Sequence, residues 1–168
     1  MTPVDCTYII GIDPGRDGGV VALDRATGEP LAAHTMSEVS LDPDVLYTYW
    51  QGSIACIEDI HALGNVGAKT TFQFGRYLGR IEGILLAKRV RTCCIPPKDW
   101  QEILPLETIK DIPKEKRRDA LKRLSLQAWL DNPHNSGVGN GKHDGIADAY
   151  NIARFGLQLL NENRLTTL

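Results

Sequence analysis

The hydrophobic pattern divides the chain into short apolar runs followed by helix-spaced stripes. Tyr8–Asp13 (YIIGID) is almost wholly apolar until it meets Pro14-Gly15, which reads as a buried strand stopped by a tight turn. Gly19–Asp24 (GVVALD) repeats the pattern, and Thr27-Gly28 turns the chain into a third strand over residues 31–36, giving an antiparallel meander. Residues 41–50 read as a short helix that leads into a fourth apolar strand at 53–60. Over residues 68–89 the period changes, with Phe72, Tyr77, Leu78, Ile81, Leu85 and Leu86 at helical spacing. Arg91–Ile95 is a fifth strand, ended by Pro96-Pro97. Helices follow at 98–104, at 113–130 with Pro113 near the first turn, and from about 143 to 161, while 132–141 (NPHNSGVGNG) reads as a flexible loop. This order predicts an α/β protein of one domain spanning 1–168, a five-stranded mixed sheet flanked by helices.

Composition narrows the class. At 168 residues and 42% hydrophobic, the chain can bury an ordinary core without staples. No signal-peptide pattern opens it, and no apolar stretch nears the roughly 18 residues of a membrane span, so a soluble, cytoplasmic protein is expected. The four cysteines Cys6, Cys56, Cys93 and Cys94 form no CxxC pair and read as reduced thiols. A net charge of -2 gives no overall basic footprint, yet residues 110–123 hold seven basic side chains against three acidic ones.

The acids carry the chemistry. Asp13 ends one apolar strand and Glu58 interrupts another; each alone reads as a solvated strand-end acid or a turn cap. On the last helix Asp148, Ile152, Phe155 and Leu159 form one stripe, which Asp144 extends toward the amino end, placing two carboxylates on a face expected to pack on the sheet. Asp144 reads equally as a cap or as an acid at the helix's positive end. Burying unpaired carboxylates is costly, and no Lys or Arg shares the stripe, so the expected counter-charge is an external cation. Magnesium takes such hard oxygen ligands, and two ions about 3.5 to 4 Å apart can clamp a phosphodiester.

Ile10-Gly11-Ile12-Asp13-Pro14-Gly15, then Ile57-Glu58, then the stretch from His143 through Asp148 to Ala153 resemble the three acidic motifs of the RuvC family of Holliday-junction resolvases, in particular its compact bacteriophage forms. The resemblance spans nearly the whole chain. It implies an RNase H-like fold, a homodimer, and magnesium-dependent cutting of two symmetric strands at a four-way DNA junction, with manganese as a substitute metal and the cytoplasm of a host cell as the location. Asp13, Glu58 and Asp148 fall on the family's acids. Asp13 is expected between two ions, with Glu58 on one and Asp144 with Asp148 on the other, so that hydrolysis leaves 5′-phosphate and 3′-hydroxyl ends.

Gly145 stands where many members place a further ligand; Asp144 is assigned that duty, with His143 as the alternative. The family's basic catalytic residue falls near Gln101, and Lys98 or a residue of 110–118 is expected to replace it. His61 aligns with an aromatic residue that stacks on a splayed base, and reads equally as an exposed loop histidine. Phe72, Phe74 and Tyr77 read as core or dimer contacts, and the helix at 68–89 as the dimer interface. Lys114, Lys116, Arg117, Arg118, Lys122 and Arg123 are candidates for backbone-phosphate contacts or form a solvated face. Competing readings are a junction-binding protein without catalysis, a flap or RNA–DNA hybrid nuclease on the same fold, and a nucleotide-binding turn at Gly11–Gly19, which the chain's length opposes.

Overall fold

The computed structural model describes residues 6–60, 67–135, 138 and 142–165. Strands β1 (Tyr8–Asp13), β2 (Gly19–Asp24), β3 (Pro30–Thr35), β4 (Ser53–Glu58) and β5 (Arg91–Ile95) make one sheet in the order β3-β2-β1-β4-β5. The first three pair antiparallel, and β4 and β5 join parallel to β1. Helices are α1 (Met36–Leu41), α2 (Tyr47–Trp50), α3 (Ala68–Ala87), α4 (Pro97–Trp100), α5 (Lys114–Leu130) and α6 (Asp144–Asn161).

The sheet is covered on both sides, which is why its strands read as unbroken apolar runs. Ile9, Val21, Leu23, Ile54 and Cys56 point into one core with Trp129 of α5 and the buried face of α6. Ile10, Ile12, Val20, Ala22 and Ile57 point into the other, with Trp50 of α2 and Ile81 and Leu85 of α3. All four cysteines are free thiols, and only Cys94 is exposed. Among the described residues no helix is long and apolar enough to cross a membrane.

α6 lies unusually close to the sheet because small residues face each other there. A Cβ on Gly11 would stand 2.0 Å from the Ala149 carbonyl oxygen and 2.5 Å from the Ala153 nitrogen, and one on Gly156 would stand 2.3 Å from Cys56 Sγ. The sheet-facing stripe is therefore Gly145, Ala149, Ala153 and Gly156. The expected stripe through Asp148 lies about a quarter-turn away, and it leaves Leu159 only partly buried. This displacement turns Asp148 off the sheet toward α5, where it meets Ser125.

Several element boundaries differ from the sequence expectation. The helix expected at 41–50 is broken: Thr35 and Glu38 form a capping box that starts α1 at Met36, a residue expected in the third strand. Asp42 ends α1 and its side chain accepts from the Asp44 N–H at 3.0 Å, while Pro43 opens a separate tight turn before α2. The fourth strand stops at Glu58 rather than at residue 60, and the helix expected at 98–104 is α4 followed by a tight turn at Gln101–Ile103. The expected loop at 132–141 is described only at 132–135 and 138; there Asn132 donates to the Tyr150 hydroxyl and Asn135 to the Trp129 carbonyl, each at 2.5 Å.

Candidate active site

β1 and β4 are parallel neighbours, so their carboxyl ends open on the same side. In open α/β sheets that edge is where ligands bind. β1 delivers Asp13 there and β4 delivers Glu58. The turn after Asp13 is tight: the Gly15 N–H donates to Asp13 Oδ1 at 3.1 Å, and a Cβ on Gly18 would stand 2.1 Å from the Asp13 carbonyl oxygen. α6 starts at this edge and runs back over the sheet face, so its first turns bring Asp148 to the same cleft, an open space of about 770 Å³.

Each acid is held by its own donor. Trp100 Nε1 donates to Glu58 Oε1 at 2.9 Å. Ser125 Oγ donates to Asp148 Oδ1 at 2.5 Å, and Asn151 Nδ2 in turn donates to Ser125 Oγ at 3.0 Å and to the Ala147 carbonyl at 2.9 Å. Trp100, Ser125 and Asn151 are buried, so they fix the carboxylates from beneath.

The carboxylates sense one another. Burial pushes Asp13 up from 3.8 to about 7, with the charges of Glu58 and Asp148 adding to it and the Gly15 N–H and Lys122 opposing it. Glu58 is likewise pushed from 4.5 to about 7 by burial; the Trp100 hydrogen bond opposes and the Asp148 charge adds. Burial also raises Asp148, against the pull of the Ser125 hydroxyl and Lys122. Three acids raised together mark a site short of positive charge.

The chain supplies part of that charge itself, which corrects the expectation that it must all come from outside. Lys122 of α5 reaches across to Asp144, with Nζ 3.3 Å from Oδ2. Asp144 is half-exposed at the rim of the cleft, shallower than the other three acids. The cap of α6 is His143, whose Nδ1 accepts from the Ile146 N–H at 3.4 Å, so capping does not fall to Asp144. Gly145 has a steric cause: a Cβ there would stand 2.2 Å from the Asp17 carbonyl oxygen and 2.4 Å from Gly18 Cα. No side chain fits at that position against the turn at Asp17 and Gly18.

Among the described residues no three carboxylate, imidazole or thiol groups form a ready-made ligand cluster. Each acid has one oxygen turned to a protein donor. The donor set nonetheless fits a hard divalent cation: oxygen ligands on rigid elements, raised in pKa for want of counter-charge.

The basic residues divide. Arg118 and Lys122 line the cleft from α5, joined by Arg16 and Lys142. Lys114, Lys116, Arg123 and Lys98 are exposed and outside the cleft wall, and by helical geometry Lys116 and Arg123 point about a third of a turn away from Arg118 and Lys122. Arg117 is turned back on its own turn, donating to the carbonyls of Ile112 at 3.1 Å and Lys110 at 3.0 Å. Gln101 does stand in the cleft wall, uncharged. His61 lies outside the described residues. Sequence reasoning missed Trp100, Ser125 and Asn151; Ser125 was signalled as a lone polar residue on the face that α5 buries with Trp129.

Fold and cleft together define a class: a mixed-sheet α/β protein with acids from its first strand, its fourth strand and its last helix gathered at one sheet edge. No protein-family model matches the chain, and no curated protein sequence does. Solved structures do. RuvC from T. thermophilus in complex with a Holliday junction substrate superposes at TM-score 0.66 and 12% identity, over 96% of this chain and 99% of that one. A second Thermus thermophilus RuvC structure gives 0.63 and 16% over 96% and 99%. The yeast mitochondrial Holliday junction resolvase Ydc2 gives 0.52 and 13% over 97% and 84%. The chain thus has the RNase H-like fold of RuvC over almost its whole length.

Proposed function

We propose that this chain is a metal-dependent, structure-selective endonuclease that resolves four-way DNA junctions. The observation that carries the reading is the convergence of Asp13, Glu58 and Asp148 from three separate elements, all raised in pKa, at the carboxyl edge of a RuvC-like sheet. These three would hold magnesium or manganese, with Asp144 joining from the rim. Such ions, when bound, neutralise the acids and stabilise the charge that develops on a phosphodiester under attack by water.

The chain's own residues do the positioning. Trp100 and Ser125 hold Glu58 and Asp148 in place, each from a buried side. Lys122 and Arg118 present positive charge to a backbone phosphate entering the cleft.

A homodimer has support on α3. Gly75, Gly79 and Gly83 have nothing within 4 Å of a notional Cβ, and they lie on one stripe between Phe72 and Leu86, which are 68% and 81% exposed. An apolar helix face with small residues at its centre fits close approach by the same face of a second copy. Two copies would supply two clefts for two symmetric cuts.

A substrate panel tests the proposal: labelled four-way junction, flap, plain duplex and RNA–DNA hybrid, each in magnesium and in chelator. Paired, magnesium-dependent nicks on the four-way junction are expected. Preferred cutting of the flap or the hybrid would transfer the fold to the competing nuclease readings, and binding without cutting would leave a junction-binding protein.

A further inference from the structure

Beside the cleft, on the flank of α3, lies a small recess of about 90 Å³ lined by Arg16, Gln73, Arg76, Tyr77 and Arg80. Three guanidinium groups at one recess repel one another. Arg76 and Arg80, four residues apart on the helix, add a like-charge pair of the kind that destabilises a helix. Among the described residues neither has a carboxylate partner; each guanidinium lies over a ring, Arg76 6.0 Å from the Phe72 centroid and Arg80 5.9 Å from the Tyr77 centroid. Arg16 is forked onto Asp17, with contacts of 3.1 and 2.9 Å, so the uncompensated charge belongs to the two α3 arginines.

We propose that this recess is a second phosphate seat, which takes a backbone phosphate of the same DNA strand whose neighbouring phosphate enters the acid-lined cleft. At about 90 Å³ the recess is on the scale of a single phosphate group. Guanidinium forks match phosphate oxygens bidentately. Arg16 and Gln73 line both spaces, so one strand can pass from one to the other without leaving the protein. Lys69, four residues before Gln73 on the same edge of α3, extends the positive track. None of these residues belongs to the basic segment at 110–123. The inference takes its ligand from the DNA-binding reading above, but it concerns binding rather than cutting.

The test is fluorescence-anisotropy binding of a four-way junction and of a plain duplex, in chelator, across a salt series. The proteins compared are wild type, the double variant Arg76→Gln/Arg80→Gln, its Arg76→Lys/Arg80→Lys counterpart, and Arg89→Gln/Arg164→Gln as an equal charge loss elsewhere. The glutamine pair is expected to weaken binding roughly ten- to a hundredfold at moderate salt and to lower the slope of log affinity against log salt by about one, the share of one phosphate. The lysine pair should keep the slope and recover part of the affinity, and the Arg89/Arg164 control should stay within about twofold of wild type. Thermal melts of each variant confirm folding. Affinity and slope unchanged in the glutamine pair, an equal effect in the control, or a wild type that binds neither DNA overturns the proposal. A wild type that binds but cuts nothing in magnesium overturns the nuclease reading alone, and the arginine effect is still read.

Discussion

Replacing Asp13 by Asn removes one negative charge from the cleft and keeps the side chain's shape, including an oxygen for the Gly15 N–H at 3.1 Å. In the folded protein the Asp13 carboxyl stands at about 7 rather than 3.8, through burial first and then through Glu58 and Asp148. The native state therefore keeps a proton that the unfolded chain has already released. The resulting penalty on folding is absent below about pH 4, grows between about 4 and 7, and is complete above that. At about 1.4 kcal/mol per pH unit the full displacement is worth up to ~4 kcal/mol. The side chain retains some contact with water, which reduces the expectation to ~2 kcal/mol. Asp13→Asn should thus be more stable than wild type at pH 8 in chelator, its melting temperature higher by about 4–8 °C for a chain of this size. Near pH 4 the two proteins should melt together. Thermal melts followed by circular dichroism at pH 4, 6 and 8 read the difference directly. A variant no more stable than wild type at pH 8, or stabilised equally at pH 4, would refute the claim that the cleft stores electrostatic repulsion.

Two further substitutions probe the scaffold. Trp100→Phe keeps a ring in the core but removes the donor to Glu58 Oε1, so the Glu58 carboxyl should rise beyond about 7 and stability should drop by about 1 kcal/mol; the pH profile of junction cleavage should move to higher pH, and an unmoved profile counts against that role. Gly11→Ala forces a methyl to within 2.0 Å of the Ala149 carbonyl oxygen, which should cost about 3 kcal/mol in urea denaturation and displace Asp148 enough to depress cutting; a variant as stable as wild type would contradict the close seating of α6 on β1.

The sheet was legible because its strands are buried on both faces, which leaves continuous apolar runs such as Tyr8–Asp13 and Gly19–Asp24. Asp13, Glu58 and Asp148 were legible because each breaks an apolar pattern, and a polar residue within such a pattern needs a reason. Less could be read where the determinant is distant in sequence. Lys122 faces Asp144 only because α5 packs beside α6, and Trp100 reaches Glu58 across 42 residues. Helical periodicity ranks residues by size and polarity, so it put Ile152 and Phe155 at the sheet contact. Both are buried in the core against the sheet, but the closest approach runs through Gly145, Ala149, Ala153 and Gly156, residues too small to weigh in that pattern. The same blindness made Gly145 look like a lost ligand rather than a place where the 15–18 turn leaves no room.

If the acids from β1, β4 and α6 act as one cation-holding site, calorimetric titration of magnesium into the protein at pH 8 will register it. Saturable binding by the wild type is expected, weakened about tenfold or more in Asp148→Asn and in Glu58→Gln although both remain folded. Absence of binding in the wild type, or equal affinity in all three proteins, would contradict it.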